Sequence, residues 1–263
     1  MENHRYDRTS GVTLALSGGA ARGAFHLGAV EALRRHDIPI RAISGSSIGA
    51  IVGAGIAAGK SPDELMDIFT SRTFRKVFRL NLFGEGLFKI NRHADIIKEI
   101  APIPRLEDHP IPLYVTTVES KEGHLRRFNC GETIPILLAS AAIYPIFEPV
   151  SYCGEKLLDG GIFDNLPVEP LLAYPYPLVG INLHPNTPVN PRGLKGMLTR
   201  SLFLSWHASI RSQIARCDLY LAPDELNSLK VFGFKDLKRA FDMGLEQMEK
   251  LLADPAPDHF LAS

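Results

Sequence analysis

The first apolar run, Val12 to Leu16, is short, compact and followed by glycines, which predicts a buried strand. From Ala24 to Arg35 the spacing changes to a helical one, with Phe25, Leu27, Val30 and Leu33 as inward positions. Arg41 to Ser44 reads as a second, shorter strand. Behind it an Ala/Gly/Ile helix runs to about Gly59, its natural C-cap, and its small side chains imply close packing on a sheet. Ser61-Pro62-Asp63-Glu64 carries the residues of a capping box with proline at N1, so a helix starts there and is expected to run to about Phe78.

Further on, Leu113 to Ser120 and His124 to Phe128 predict a hairpin or two neighbouring strands, and Thr133 to Ala142 a helix ended before Pro145. Short strands follow at Pro149 to Tyr152 and Lys156 to Leu158. Another buried strand is expected at Leu178 to Leu183. A long helix over Leu194 to Arg216 is expected to align Leu198, Leu202, Trp206 and Ile210 along one face; a short strand (Leu219 to Leu221) and a terminal helix (Lys235 to Leu252) complete the pattern. Strands alternating with helices imply an α/β sandwich around a largely parallel sheet. Neither a repeat nor a low-complexity linker divides the chain, so residues 1–263 are read as a single domain, with 1–10 a flexible N-terminus.

Composition narrows the function classes. Lys plus Arg equals Asp plus Glu at 29 each, so no global field recruits nucleic acid, and membrane contact must be local and transient. Arg79 to Ile90 is the segment to which such contact points: it is apolar, interrupted by Gly84 and Gly86, and reads either as core or as a mobile flap meeting lipid. The N-terminus lacks an apolar signal region, and Cys130, Cys153 and Cys217 have no paired spacing, which predicts buried thiols in a reducing, cytoplasmic setting, peripheral to a membrane at most. No Asp, His or Cys cluster has metal-ligand spacing, so neither metal nor cofactor is expected.

Two glycine-rich turns follow the first two strands. In Gly45-Ser46-Ser47-Ile48-Gly49 the chain passes sharply from strand to helix, and flanking glycines remove the Cβ atoms that would crowd an outward-facing serine. The pentapeptide alone discriminates weakly. Upstream, Ser17-Gly18-Gly19-Ala20-Ala21-Arg22-Gly23 turns backbone N–H groups inward beside a helix N-terminus, a device for a bound phosphate or a transient oxyanion. Ala20 stands where a dinucleotide fingerprint needs glycine, and no G-K-[ST] follows, which weakens the phosphate reading. Arg22 is expected either to hold a lipid phosphate or to pair with a surface carboxylate. A serine nucleophile also needs a base. Asp159, ahead of Gly160 and Gly161, is one candidate, and His184 completes an alternative Ser47, Asp159, His184 triad of an esterase or acyl thioesterase. A non-catalytic phosphate-binding module is the remaining alternative.

Taken in order, the Ser17 to Gly23 turn, Gly45 to Gly49 and Asp159-Gly160-Gly161 resemble the three motifs of the patatin-like phospholipases of bacterial type, with a single patatin domain. The similarity extends through Gly28 and Asp164-Asn165-Leu166-Pro167-Val168. It implies a three-layer α/β sandwich and hydrolysis of lipid acyl esters, phospholipid or lysophospholipid. It also implies Ser47 as nucleophile, Asp159 as its partner without a histidine, and an oxyanion hole from Gly18, Gly19 and Ala20, with Ala21 and Arg22 next. Gly23, Gly45, Gly49, Gly160 and Gly161 support these motifs. Family members usually have a third glycine where this chain has Ala20, which is strained if its φ is positive.

Overall fold

The computed structural model describes residues 10–74, 94–144, 146–185, 191–231, 233 and 235–253. β1 (Val12–Leu16) leads through a 3-10 turn at Ala20–Gly23 into α1 (Ala24–Arg35), and β2 (Ile40–Ser46) leads through Ser47 into α2 (Ile48–Ala57). α3 (Pro62–Thr70) and α4 (Ala94–Ile100) follow. After them come β3 (Leu113–Glu119), β4 (Leu125–Phe128), α5 (Thr133–Ser140), β5 (Val150–Tyr152) and β6 (Glu155–Asp159). The chain continues with β7 (Leu178–Ile181), α6 (Gly193–Ile214), β8 (Leu219–Leu221) and α7 (Leu237–Ala253).

The strands form one sheet in the order β5-β6-β3-β2-β1-β7-β8, with β4 also on β3. β3, β2, β1, β7 and β8 run parallel, whereas β4, β6 and β5 join antiparallel. Both faces are covered, as buried parallel strands require. Leu14, Leu16, Ile43 and Val115 point into the larger core beneath α1, α2 and α7. Their neighbours Ala15 and Ala42 face a smaller core with Leu166, Val168, Leu171 and Ile210 of α6. α1 and α7 cross at glycines: a Cβ at Gly28 would strike the Phe241 carbonyl, and one at Gly244 would strike that of Phe25. That close crossing fixes α1, and with it the turn at its N-terminus.

The Ser61 box forms as read. The Ser61 hydroxyl accepts from the Glu64 amide (3.2 Å), and the Glu64 carboxylate accepts from the Ser61 amide (2.7 Å). The helix does not reach Phe78, however. Ser71 is extended and its hydroxyl accepts from the Phe74 amide, opening a new turn after Thr70. The apolar stretch from Arg79 to Ile90 lies outside the described residues. Two further expectations are corrected. Cys130 and Cys153 are exposed, Cys153 in the tight β5–β6 turn where it and Gly154 both have positive φ, and Cys217 is half-buried. On α6, Trp206 and Ile210 are buried but Leu198 is 64% exposed, together with Leu194, Met197 and Leu204. Among the described residues, no helix is long and apolar enough to cross a membrane.

Candidate active site

Sheet register brings the two distant motifs together. Ser46 at the end of β2 pairs with Thr116 of β3, and Thr117 pairs with Asp159 at the end of β6. Ser47 and Asp159 therefore emerge at the same end of the sheet, two strand spacings apart, or about 10 Å between backbones. Ser47 is the N-cap of α2 with φ 54° and ψ −125°, a strained conformation for a non-glycine residue. Strain persists only where the surroundings over-determine it. Here the Ser47 amide donates to Ser140 Oγ (2.9 Å), which in turn donates to the Thr116 carbonyl (2.7 Å). An added Cβ at Gly45 would come within 2.5 Å of the Ala50 amide, and one at Gly49 would strike the Leu16 carbonyl. One at Gly23 would strike Ile48, so the two glycine turns interlock.

Asp159 caps the 3-10 turn Gly160–Ile162, its Oδ1 accepting from the Gly161 amide at 2.7 Å. It is 4% exposed. Burial pushes its pKa up from 3.8 to about 6, against the opposing effect of hydrogen bonds from the Ser47 hydroxyl and the Gly161 amide. At neutral pH it is therefore an ionised carboxylate with raised basicity, facing the serine. Gly160 is needed here because a Cβ would strike the Thr116 carbonyl.

The Ser17 to Gly23 turn is clamped from several directions. Ser17 Oγ accepts from the Leu183 amide (2.8 Å), and His26 Nε2 donates to the Ser17 carbonyl (2.9 Å). Burial holds the His26 pKa down at about 4, so the ring is neutral. Arg22 does not pair with a surface carboxylate among the described residues. It is buried and donates to the carbonyls of Leu183 (2.7 Å) and Leu229 (3.1 and 2.7 Å), with burial lowering its pKa to about 10. A guanidinium spent on two carbonyls acts as a brace between loops. The Gly18 amide donates to Asn165 Oδ1 (3.1 Å), the Ala21 amide to the Val231 carbonyl (2.8 Å), and the Arg22 amide to the Gly19 carbonyl (3.1 Å). Ala20 has φ 49°, so the alanine is strained where the family usually has glycine.

Gly18, Gly19, Ala20, Ser47, Ile143, Asp159, Asn165, Trp206 and Val231 line one narrow cleft, with room for about one water molecule. Among the described residues, no histidine lines it. His184 is buried beneath α6, its ring 4.7 Å from Trp206 and 5.1 Å from Phe203, and burial pushes its pKa down to about 3. α6 lies over the site: Trp206 closes the cleft, Ser205 Oγ donates to the Ile162 carbonyl (3.4 Å), and Ser209 Oγ accepts from the Asn165 amide (3.3 Å). Among the described residues, no group of three or more His, Cys, Asp or Glu is placed to hold a metal ion.

Sequence reading missed Ser140, His26 and the role of Asn165. Asn165 stood in a quoted motif but carried no chemistry of its own. Ser140 and His26 gave no local signal, since hydroxyls and imidazoles of this kind are common in helices.

A buried carboxyl with a raised pKa costs stability once ionised. The folded state holds the proton to about pH 6 and the unfolded chain only to about 3.8, so the stabilisation is complete below pH 3.8 and lost as pH rises through 6. Asp159→Asn is therefore expected to raise the unfolding free energy at pH 8 by up to about 3 kcal/mol. The gain should vanish near pH 3.5. Thermal denaturation at both values checks this, and an equal effect at the two would contradict it.

The family model for patatin-like phospholipases matches residues 14–172, more than half the chain and the span containing all three motifs. An uncharacterized NTE family protein of Mycobacterium tuberculosis is 35% identical over 163 residues, 61% of this chain and 45% of the relative. Lysophospholipase NTE1 of Scheffersomyces stipitis is 31% identical over 174 residues, 60% of this chain and 11% of that protein. The chain thus spans less than half the length of these relatives. In fold it is similar to the crystal structure of VipD from Legionella pneumophila, with a TM-score of 0.53, 17% identity, and coverage of 95% of this chain and 67% of that one. The matched span, with the serine turn, glycine turn and aspartate turn meeting at one cleft, establishes that the chain belongs to the patatin-like phospholipase family.

Proposed function

We propose that the protein is a serine acyl hydrolase acting on lipid acyl esters through a Ser47–Asp159 dyad. The observation that carries this reading is the buried carboxylate of Asp159, raised to about pH 6, facing a serine held in a strained turn at a helix N-terminus. Ionised Asp159 takes the Ser47 proton as Ser47 Oγ attacks the ester carbonyl. The amides of Gly19 and Ala20, which have no partner within the turn, receive the oxyanion, and the α2 N-terminus adds its dipole. Collapse of the tetrahedral intermediate returns the proton to the departing alcohol and leaves acyl-Ser47. Water, deprotonated by Asp159, then releases the fatty acid. His184 takes no part, being neutral and buried among rings outside the cleft.

Lysophospholipid is the favoured substrate class, in keeping with the name of the relative lysophospholipase NTE1. The outer face of α6 supports contact with a lipid surface. Leu194, Met197, Leu198 and Leu204 are exposed there, and the helix sequence carries Lys195, Arg200 and Arg211 but no Asp or Glu, in a chain that is neutral overall. A helix of that composition fits an anionic interface. The cleft beneath holds about one water molecule, and a shift of α6 would open it to an acyl chain.

Digestion of a lipid extract should release fatty acid with the wild type, while Ser47→Ala, folded normally, loses about 10⁴-fold or more in rate. Equal release by both proteins would end the assignment. Replacing Leu194, Leu198 and Leu204 together with serine is expected to abolish co-sedimentation with phosphatidylglycerol/phosphatidylcholine vesicles while sparing hydrolysis of a soluble short-chain ester. Unchanged sedimentation would refute the lipid-facing role of α6.

A further inference from the structure

Asn165 is 2% exposed, yet its side-chain Nδ2 has no acceptor among the described residues. The orientation of the carboxamide is not ambiguous. The Gly18 N–H can only donate, so the atom 3.1 Å from it is the carbonyl oxygen, and the NH₂ arm is the one left over. Its backbone is fixed from both sides, by Ser209 Oγ on the Asn165 amide and by the Arg127 ion pair to neighbouring Asp164 at 2.9 Å.

Four further distances locate the carboxamide among the reacting groups. A Cβ built at Gly18 would lie 2.7 Å from Asn165 Oδ1 and 3.1 Å from Ser47 Cβ. One built at Gly161 would lie 2.7 Å from the same oxygen and 3.0 Å from Asp159 Oδ1. Glycines in two separate motifs thus make room for one amide between nucleophile and base, and Asn165 lines the cleft with both. A buried donor without an acceptor is unfavourable in the resting fold, and native proteins keep few.

We propose that Asn165 is a further catalytic residue, whose Nδ2–H donates to the carbonyl oxygen of the bound ester and to the oxyanion formed from it. This rests on the Ser47–Asp159 reading. Asn165 Oδ1 occupies the Gly18 amide, and the Nδ2 donor takes that amide's place in the hole beside Gly19 and Ala20. Losing one such donor typically lowers kcat 10²- to 10³-fold.

Asn165→Asp separates donation from positioning, because its carboxylate still accepts from Gly18 but cannot donate. On a soluble short-chain ester, Asn165→Asp is expected to lower kcat about 100-fold, with KM within about threefold of wild type. The added charge raises the pKa of Asp159 and shifts the acid limb of the profile, so the comparison is made on the alkaline plateau. A plateau kcat within about threefold of wild type would overturn the proposal. A second readout uses the wild type alone: after phosphonylation of Ser47 by a fluorophosphonate, the Asn165 side-chain NH₂ resonances should move downfield as they meet the phosphonyl oxygen. Unmoved resonances would also overturn it. If Ser47→Ala hydrolyses ester as fast as wild type, the dyad reading fails instead, and the failures are thereby distinguished.

Discussion

The proposed mechanism needs a carboxylate that ionises inside protein, and the structure around Asp159 is arranged about that constraint. Asp159 accepts from the Gly161 amide and faces the Ser47 hydroxyl, and burial outweighs both effects, leaving its pKa near 6. With more donors it would be a weaker base, and with fewer it would stay protonated near neutrality. Among the described residues, no charged neighbour contributes to that balance. Its neutral imidazoles, His26 and His184, face backbone or aromatic rings, and the buried Arg22 is spent on carbonyls.

Placement of the carboxylate opposite the serine follows from strand order. The parallel β3-β2-β1-β7-β8 run gives the elbow and the glycine turn neighbouring strands. The antiparallel addition of β6 then carries Asp159 to the same sheet end. Fine positioning comes from close approaches that only glycine permits at Gly45, Gly49, Gly160 and Gly161, and from the hydroxyl of Ser140. Ala20 departs from this pattern with a left-handed φ. Its methyl leaves the N–H intact, so strain is added without removing a donor.

Local signals were legible in the sequence where one element carries the whole cause. The β1-turn-α1 unit, the elbow and the Ser61 capping box each depend on residues within a few positions, and each forms as read. Pairing partners were not legible, because hydrophobic alternation does not say whether β6 lies parallel to β3 or against it. Nor does helical spacing distinguish an inward face from an outward one, and Leu198 on α6 fell on the wrong side for that reason. The bracing contacts of Arg22 were not legible either, because its acceptors are carbonyls of Leu183 and Leu229, more than 160 residues away. Asn165 escaped similarly: its meaning lies in Gly18, 147 positions upstream.

The central claim is that a buried Asp159, and no histidine, activates Ser47. The rate at which a fluorophosphonate labels Ser47 between pH 4.5 and 8.5 tests it most directly, in the wild type and in Asp159→Asn. The account requires labelling in the wild type to rise through a midpoint near pH 6 and then level off, since Asp159 must be deprotonated to take the serine proton. In Asp159→Asn it should be slow throughout. Fast labelling of that variant with the same midpoint would contradict the account, because a group other than Asp159 would then be the base.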